Sequence, residues 1–552
     1  MSADEIVAKI LRARGISEAE LGDFLNPSLD QLTRPEDLPG VVAAADAVLA
    51  AMAAGRGIVV FGDYDCDGVC ATAILVKALG ALGADVESFL PNRLTEGYGM
   101  SDASVARLLA EHPGVGLVVT VDNGITSIDQ ISALRSRGVE VVVTDHHLPT
   151  RLPGPDGAPG EIALPDATAL VNPKVAAPRH LVDLCGAGVA FLLANRLVAE
   201  AGRRGIYSGV KVGGPLLVLA GIATVTDLMP LTGQNRILVA EALKRFGSWA
   251  PTGVRELYAR AARVGAERMT SRDFGFLIGP RINASGRLGS GEQALELVLS
   301  DDREISRELA RIVDMRNMER RSIEQKMSED ALARVVEGAS AQVIDLPEGH
   351  PGVVGIVAAR LLERIGRGPV CVIAGGHGSG RAPDGFNLRD AFDACAPVLE
   401  RYGGHAAAGG FSVKEGMTDE FRRLLCEYCD RVDRERPPAA AGGVEPDVWI
   451  EPKDVTLELA DEVARLEPFG EGNPEPIFGL RGVTLADVRP LGSDGRHLTL
   501  SLRESRLRGV FWNRGDMVEG LRASPVRRDL AFALTVSDYG ERHVELRLVA
   551  VS

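Results

Sequence analysis

Val59-Val60-Phe61-Gly62-Asp63-Tyr64-Asp65-Cys66-Asp67-Gly68 is the stretch that decides the fold, read together with Val121-Asp122-Asn123-Gly124 and Thr144-Asp145-His146-His147. Each follows an apolar run (Gly57 to Phe61, Val115 to Val121, Val139 to Val143) that reads as a buried parallel strand, and each run ends abruptly in acids or histidines. In open α/β sheets ligands sit in the crevice outside the carboxyl ends of the strands, so three such endings point to one shared site. Hard oxygen donors with imidazole suit Mn²⁺ or Mg²⁺, and two such ions about 3.5–4 Å apart are the usual apparatus for in-line attack of water on a phosphodiester. An Asp at a strand end commonly caps the next helix, which accounts for Asp63 or Asp145 taken alone. Capping does not account for Asp65 and Asp67 together. Residues i and i+2 of an extended chain share a face, and two carboxylates crowded there repel unless a cation lies between them.

Outward from this stretch, strands and helices alternate. A helix from Val69 to Leu82 leads to a strand from Asp85 to Leu90 that ends in Pro91-Asn92-Arg93; helices from Ser101 and from Ser127 to Arg137 precede the other two acidic strand ends. Ala169 to Asn172 is a further short strand, and the proline- and glycine-rich segment from Leu148 to Pro165 reads as a flap or a surface insertion. Such alternation gives right-handed βαβ units and a parallel sheet. Residues 16–40, with Pro27, Pro35 and Pro39, join two N-terminal helices in a wrapping segment over 1–55. Between 181 and 300 the apolar spacing is helical, and Asp227 ends one apolar helix, where an unpaired carboxylate is costly. Arg281, Asn283 and Arg287 lie among glycines between Gly279 and Gly289, a pattern that reads as a phosphate-approaching loop.

Residues 303–338 read as one long connecting helix with a narrow apolar stripe. A smaller α/β domain follows over 339–436, with a helix expected from Leu388 to Tyr402. Ser379, Arg381 and His405 sit there in glycine-flanked turns suited to anions. After a Pro-Ala-Gly linker, five short strands between Leu480 and Val551 suit a small barrel of the OB type, with Phe511, Trp512 and Tyr539 as candidate base-stacking platforms.

The 552 residues are too many for one core and suggest several domains. Seven scattered cysteines and no apolar leader point to the cytoplasm, and no run is long enough to span a membrane. A net charge of −15 requires the acids to be segregated from a basic groove if the partner is nucleic acid.

Gly62 to Gly68, Val121 to Gly124 and Asp145 to His147 resemble motifs I to III of the DHH phosphoesterases, and Asp227 in Thr224 to Pro230 resembles motif IV. Gly279 to Gly289, Gly403 to Gly409 and Glu467 to Phe478 narrow the resemblance to the RecJ-type single-strand-specific 5′-exonucleases. The resemblance implies a parallel-sheet DHH domain over 56–302, a DHHA1 substrate-binding domain over 339–436 and an OB-like domain over 437–552. It implies Mn²⁺ or Mg²⁺, two ions, held by Asp65, Asp67, Asp122, His146 and Asp227, with Asp67 or Asp122 bridging and metal-activated water attacking the phosphodiester. His147 would touch the scissile phosphate or orient a ligand, while Arg93, Arg281, Asn283, Arg287, Ser379, Arg381 and His405 would hold substrate. Many relatives carry a His four residues before Asp65; this chain has Phe61, so one ion is expected to be held less tightly. The implied role is 5′-to-3′ degradation of single-stranded DNA in repair and recombination, by a monomer working with single-stranded-DNA-binding protein and a helicase. The alternative is a DHH-type phosphodiesterase for short oligonucleotides or cyclic dinucleotides.

Overall fold

The computed structural model describes every residue except 98, 154–158, 207–212, 263–268, 436–443, 504, 524–525 and 538–541. Tyr539, the linker and the centre of the 148–165 segment therefore lie outside the described residues. The chain forms two compact units. One comprises Thr33–Asp227 with Lys244–Pro438, the other Met1–Leu32, Leu228–Leu243 and Ala439–Ser552.

The larger unit opens on a five-stranded sheet: β1 (Gly57–Phe61), β2 (Val86–Phe89), β3 (Val115–Val121), β4 (Glu140–Thr144) and β5 (Ala169–Val171). Their order is β2-β1-β3-β4-β5 and every pairing is parallel. Valine and isoleucine fill these strands because both faces are covered; Ile58, Val60, Val118, Val119, Val141 and Val142 are all buried. The chain runs outward one way from β1 to β2 and the other way from β3 to β4. The switch point therefore falls between β1 and β3, whose carboxyl ends deliver the first two acidic motifs side by side. Behind the sheet pack α1 (Cys66–Ala81), α2 (Gly186–Arg203) and α3 (Gly213–Thr226), whose alanines and glycines permit close approach.

The Gly279 to Gly289 segment is not a loop. It is a helix, α4 (Gly279–Leu288), preceded by a π-helical turn over Phe274–Ile278. Pro280 is placed where a helix start tolerates it, and a Cβ on Gly286 would come within 2.3 Å of the Tyr64 carbonyl oxygen. The glycines thus let α4 press against the acidic loop. The connecting helix α5 (Arg303–Leu332) is capped by Asp302, which accepts from the N–H groups of Glu304 and Ile305, both at 2.9 Å.

The second domain of this unit carries a mixed sheet of β6 (Gln342–Asp345), β7 (Val370–Ala374), β8 (His377–Arg381), β9 (Leu399–Gly404) and β10 (Ala408–Val413), in the order β9-β10-β8-β7-β6. Helix α6 (Val354–Ile365) lies against β7 and β8. Two expectations are corrected. Ser379 and Arg381 stand on strand β8 rather than in a turn, and the helix expected over Leu388 to Tyr402 stops at Ala394, so Leu399–Gly404 is free to pair with β10. Pro397 breaks the helical pattern.

In the smaller unit, seven strands between Val448 and Val551 form one sheet. The strand expected from Leu480 to Val488 is two, Phe478–Val483 and Leu485–Leu491. Ile6, Val7, Ile10 and Leu11 of the helix Ala3–Ala13 are buried in the same core as Leu459, Phe478, Leu530 and Phe532. The expected 1–55 wrapping segment therefore divides, residues 1–32 joining this unit. Arg236 adds the insertion Leu228–Leu243 to it by donating to the carbonyls of Phe24 (3.0 Å) and Leu466 (2.9 Å). Deleting residues 440–552 is thus expected to strip the partner surface from an apolar helix and yield an aggregating protein rather than a trimmed enzyme. Light scattering of the purified truncation checks this. The stacking expectation is better tested at Trp512, 52% exposed and edge-on to His497 at 4.8 Å between centroids, whereas Phe511 is buried. Trp512→Ala should weaken binding of long single strands by about 1–3 kcal/mol, measured by fluorescence anisotropy.

Candidate metal centre

The segment after β1 brings Asp63, Asp65 and Asp67 into the switch-point crevice by two different routes. Asp63 and Asp65 are the i, i+2 pair that shares a face, and with Asp122 they present ligand atoms within 4.8 Å of one another. Asp67 is reached instead through the first turn of α1, whose N-cap is Asp65, accepting from the Gly68 N–H at 3.0 Å. Both Asp67 oxygens take N–H groups from the start of α2, Gly186 at 2.7 Å and Ala187 at 2.8 Å. The helix N-terminus thereby fixes the carboxylate and leaves lone pairs on both oxygens. A Cβ on residue 186 would lie 2.6 Å from that of Asp122, so only glycine allows α2 this close. Asp122 itself has φ of 60°, a left-handed conformation that Asp tolerates, and it turns the carboxylate back across β3. Next to it, Asn123 Nδ2 donates to the Val121 carbonyl at 2.8 Å and closes the turn.

From β4, His146 Nε2 lies 3.0 Å from Asp122 Oδ1, 3.5 Å from Asp67 Oδ2 and 3.7 Å from Asp227 Oδ2. Asp67, His146 and Asp227 form a second group of converging ligand atoms, and Asp122 joins His146 and His147 in a third. Asp122 thus belongs to two groups. Asp145 does something else. It accepts from the N–H groups of Ile125, His146 and His147 at 2.9, 2.7 and 3.1 Å and meets His147 Nδ1 at 2.8 Å, which fixes the His147 ring and the backbone of both histidines.

The electrostatics fit a cation site. Among the described residues, the buried carboxylate oxygens of Asp63 (both), Asp122 (Oδ1) and Asp227 (Oδ2) have no hydrogen-bond donor. Burial, and then the neighbouring Asp65 charge, pushes the Asp63 carboxyl well above its ordinary range. Burial and the charges of Asp67, Asp65 and Asp63 do the same to Asp122. Burial with Asp67 carries Asp227 up to about 9. Burial lowers His146, keeping its imidazole neutral as a metal ligand must be. For His147 burial works in the same direction, but the hydrogen bond and charge of Asp145 outweigh it and raise it to about 9.

These shifts carry a pH prediction. A carboxyl whose folded-state pKa is raised stabilises the fold fully below its unfolded value and loses that contribution as pH rises through the folded value, which for Asp227 is about 9. A divalent cation takes the place of the missing protons. The gain in Tm on adding Mn²⁺ should therefore be larger by several degrees at about pH 8.5 than at about pH 6. Differential scanning calorimetry decides, and equal gains at both pH values would count against the site.

The expected substrate residues separate into two sets. Arg93 and Ser379 line a cavity of about 670 Å³ walled also by Tyr64, His350, Arg401 and Tyr402, while Arg381 stands behind Ser379 and does not itself line it. Arg381 Nη1 donates to Ser379 Oγ at 2.9 Å and to the Gly380 carbonyl at 2.8 Å. Burial and then the charge of Arg93 lower its pKa. Burial and Arg93 likewise bring Arg287 down to about 10, so the charge of Arg93 reaches both Arg381 and Arg287. Arg281 is not free for substrate. It is paired to Asp314 of α5 at 2.8 Å and donates to the Leu277 carbonyl. Asn283 accepts the Cys66 N–H at 2.6 Å and so braces the metal loop from α4. His405 is exposed on the turn between β9 and β10 and does not line the cavity. Asp63, which lies in the first motif but outside the expected ligand set, joins the converging donors; its place two residues before Asp65 is the available signal.

The DHH family N-terminal domain model matches residues 57–218, the DHHA1 domain model residues 338–431 and the RecJ OB domain model residues 446–550. The chain is 35% identical over 580 residues to the single-stranded-DNA-specific exonuclease RecJ of Dickeya dadantii, with 99% of this chain and 95% of that one covered. It is 38% identical to RecJ of Thermus thermophilus and 32% identical to that of Bacillus subtilis, covering 87% and 94% of this chain. It spans only 66% and 64% of those two relatives' lengths. The crystal structure of Thermus thermophilus RecJ in complex with Mn²⁺ matches with a TM-score of 0.83 at 34% identity, covering 99% of this chain and 76% of that one. With the acidic strand ends, the two further domains and near-complete alignment all in agreement, the chain belongs to the RecJ family of DHH proteins.

Proposed function

We propose that this chain is a metal-dependent exonuclease that hydrolyses single-stranded DNA from its 5′ end. The observation that carries the reading is the set of orphaned carboxylate oxygens at the switch point, opening beside an arginine-bearing cavity between the two domains of the larger unit. Relatives named RecJ have been crystallised with Mn²⁺ and with Mg²⁺, and the donor set here suits the same hard cations.

Asp63, Asp65 and Asp122 would hold one ion and Asp67, His146 and Asp227 another, with Asp122 Oδ1 3.0 Å from His146 Nε2 beside the second. When bound, such ions lower the pKa of water and stabilise charge building on a phosphodiester. The chain's own groups do the rest. Asp145 fixes the ring of His147 through its Nδ1, and that ring would present its other nitrogen to a phosphate oxygen. Asn283 keeps the acidic loop in register, and the helix start at Gly186 orients Asp67. Arg93, Ser379 and Arg381 take the phosphate at the strand's end.

Among the described residues no helix is long and apolar enough to cross a membrane. The seven cysteines are free thiols, which fits the cytoplasmic location we include in the proposal. Single strands must be opened by a helicase and are covered by single-stranded-DNA-binding protein, so these are the proposed partners of a monomeric enzyme in repair and recombination.

Digestion of 5′-labelled and of 3′-labelled single strands with Mn²⁺ or with EDTA tests this. Short labelled products should appear at once from the 5′ label, progressive shortening from the 3′ label, and neither with EDTA. Release beginning at the 3′ end, or cleavage in EDTA, would overturn it.

A further inference from the structure

One buried charge cluster lies outside the metal centre and the cavity. Helix α5 carries Asn317, Arg320 and Glu324 at spacings of three and four, hence on one stripe, at 1%, 8% and 0% exposure. Arg320 Nη1 donates to Glu324 Oε2 at 2.5 Å and its Nη2 to Asn317 Oδ1 at 2.7 Å. The other oxygen of Glu324 makes an ion-pair contact, without hydrogen-bond geometry, to Arg360 Nε, which comes from α6 in the second domain. An ion pair between helices is not the cheapest way to hold them together, because burying a carboxylate costs desolvation that well-packed apolar side chains avoid. Met327, buried on the same side of α5, is packed in that apolar manner. What a clasp between two guanidinium groups provides is a fixed register.

The register matters because of what lies at the ends of the joint. A Cβ on Gly355, in the first turn of α6, would stand 2.9 Å from Arg381 Nη2 and 3.1 Å from Ser379 Oγ. The helix clasped at Arg360 is therefore the wall of the phosphate cavity, five residues or about 7.5 Å along. On the other side, a Cβ on Gly352 would fall 1.9 Å from the Arg287 carbonyl oxygen, and one on Gly286 2.3 Å from that of Tyr64. The backbone thus runs in direct contact from the acidic loop through α4 to the start of α6, with α5 packed on both helices.

We propose that Glu324 is a positioning residue which, through Arg360, sets the distance between the phosphate cavity and the metal centre, and with it where the first cut falls. The inference rests on the function proposed above. A strand held by its terminal phosphate presents one phosphodiester to the metal centre only if that distance is constant; with slack, the neighbouring phosphodiester reaches it too.

The test uses the full chain with Mn²⁺. Arg360 is 57% exposed, so Arg360→Met removes the clasp with little burden on folding; Glu324→Gln removes it from the other side and Arg360→Lys retains the charge. Wild type should show a 5′-phosphate preference and one dominant first product in single-turnover digestion. In Arg360→Met the first cuts should spread over neighbouring bonds and the preference for a 5′-phosphate fall by about tenfold, since a misplacement of about 1 Å can cost about a hundredfold. Arg360→Lys should restore both, and the Mn²⁺-dependent rise in Tm should be unchanged throughout. A folded Arg360→Met protein with wild-type product lengths and preference overturns the inference, whatever Glu324→Gln does. A wild type without 5′ preference overturns the underlying function as well.

Discussion

Replacing Asp122 by alanine is expected to abolish hydrolysis of single-stranded DNA while leaving the protein folded. Asp122 belongs to two of the three groups of converging ligand atoms, and its Oδ1 lies 3.0 Å from His146. Its loss therefore removes a ligand from one proposed cation position and the carboxylate beside His146 at the other. Removing an outer partner of a metal ligand already costs about 10–100-fold, so losing the ligand itself should cost about a thousandfold or more in rate. The variant should stay folded without metal, because removing a carboxylate whose ionisation burial and its acidic neighbours oppose offsets the strain of alanine at a φ of 60°. It should lose the melting gain that Mn²⁺ gives. Asp67→Ala should be equally inactive but less stable, since it leaves the N–H groups of Gly186 and Ala187 without acceptors. Cleavage by either variant at more than a few per cent of wild type would remove the switch-point crevice as the site of chemistry.

Arg381→Ala should weaken recognition of a 5′-terminal phosphate without touching the metal. Arg381 is held on β8 by Ser379 Oγ and lies in the field of Arg93. A terminal phosphate bears more negative charge than a phosphodiester, so a guanidinium and a hydroxyl placed together distinguish the two. A hydrogen bond to a charged group is worth about 1.5–3 kcal/mol, so the rate on 5′-phosphorylated DNA should fall about 10–100-fold. The rate on 5′-hydroxyl DNA should move little. Side-by-side kinetics on the two substrates give the answer. Equal losses would mean that Arg381 grips the backbone generally, and the end sensor would then be sought at Arg93 or Arg287, since Arg281 is committed to Asp314.

Much of this site was legible because its signals are local. An apolar run that stops at an Asp marks a strand end whatever surrounds it, and three such ends in parallel strands must open on one side of the sheet. What failed depended on distant neighbours. Gly279 to Gly289 looked like a loop because glycine is a poor helix former, yet the segment is helical because those glycines admit the Tyr64 backbone, more than two hundred residues away in sequence. Arg281 looked available until Asp314 met it from α5. Asp65 and Asp67 were paired by strand alternation, although the chain turns into α1 between them and the alternating pair is Asp63 with Asp65. In each case the residue type was read correctly and the partner was set by tertiary packing.

The threefold division of the smaller unit along the chain has a consequence for biosynthesis. Ile6, Val7, Ile10 and Leu11 leave the ribosome well before the residues from Val448 onward that cover them. At about 5–20 residues per second, translation leaves that apolar face unsatisfied for roughly twenty to ninety seconds. The larger unit, whose segments end at Pro438, has its full sequence before the helix's partners are made. The nascent chain should accordingly be a client of holding chaperones through most of its synthesis, and codon changes that slow translation after residue 439 should lower the soluble yield without altering a single side chain.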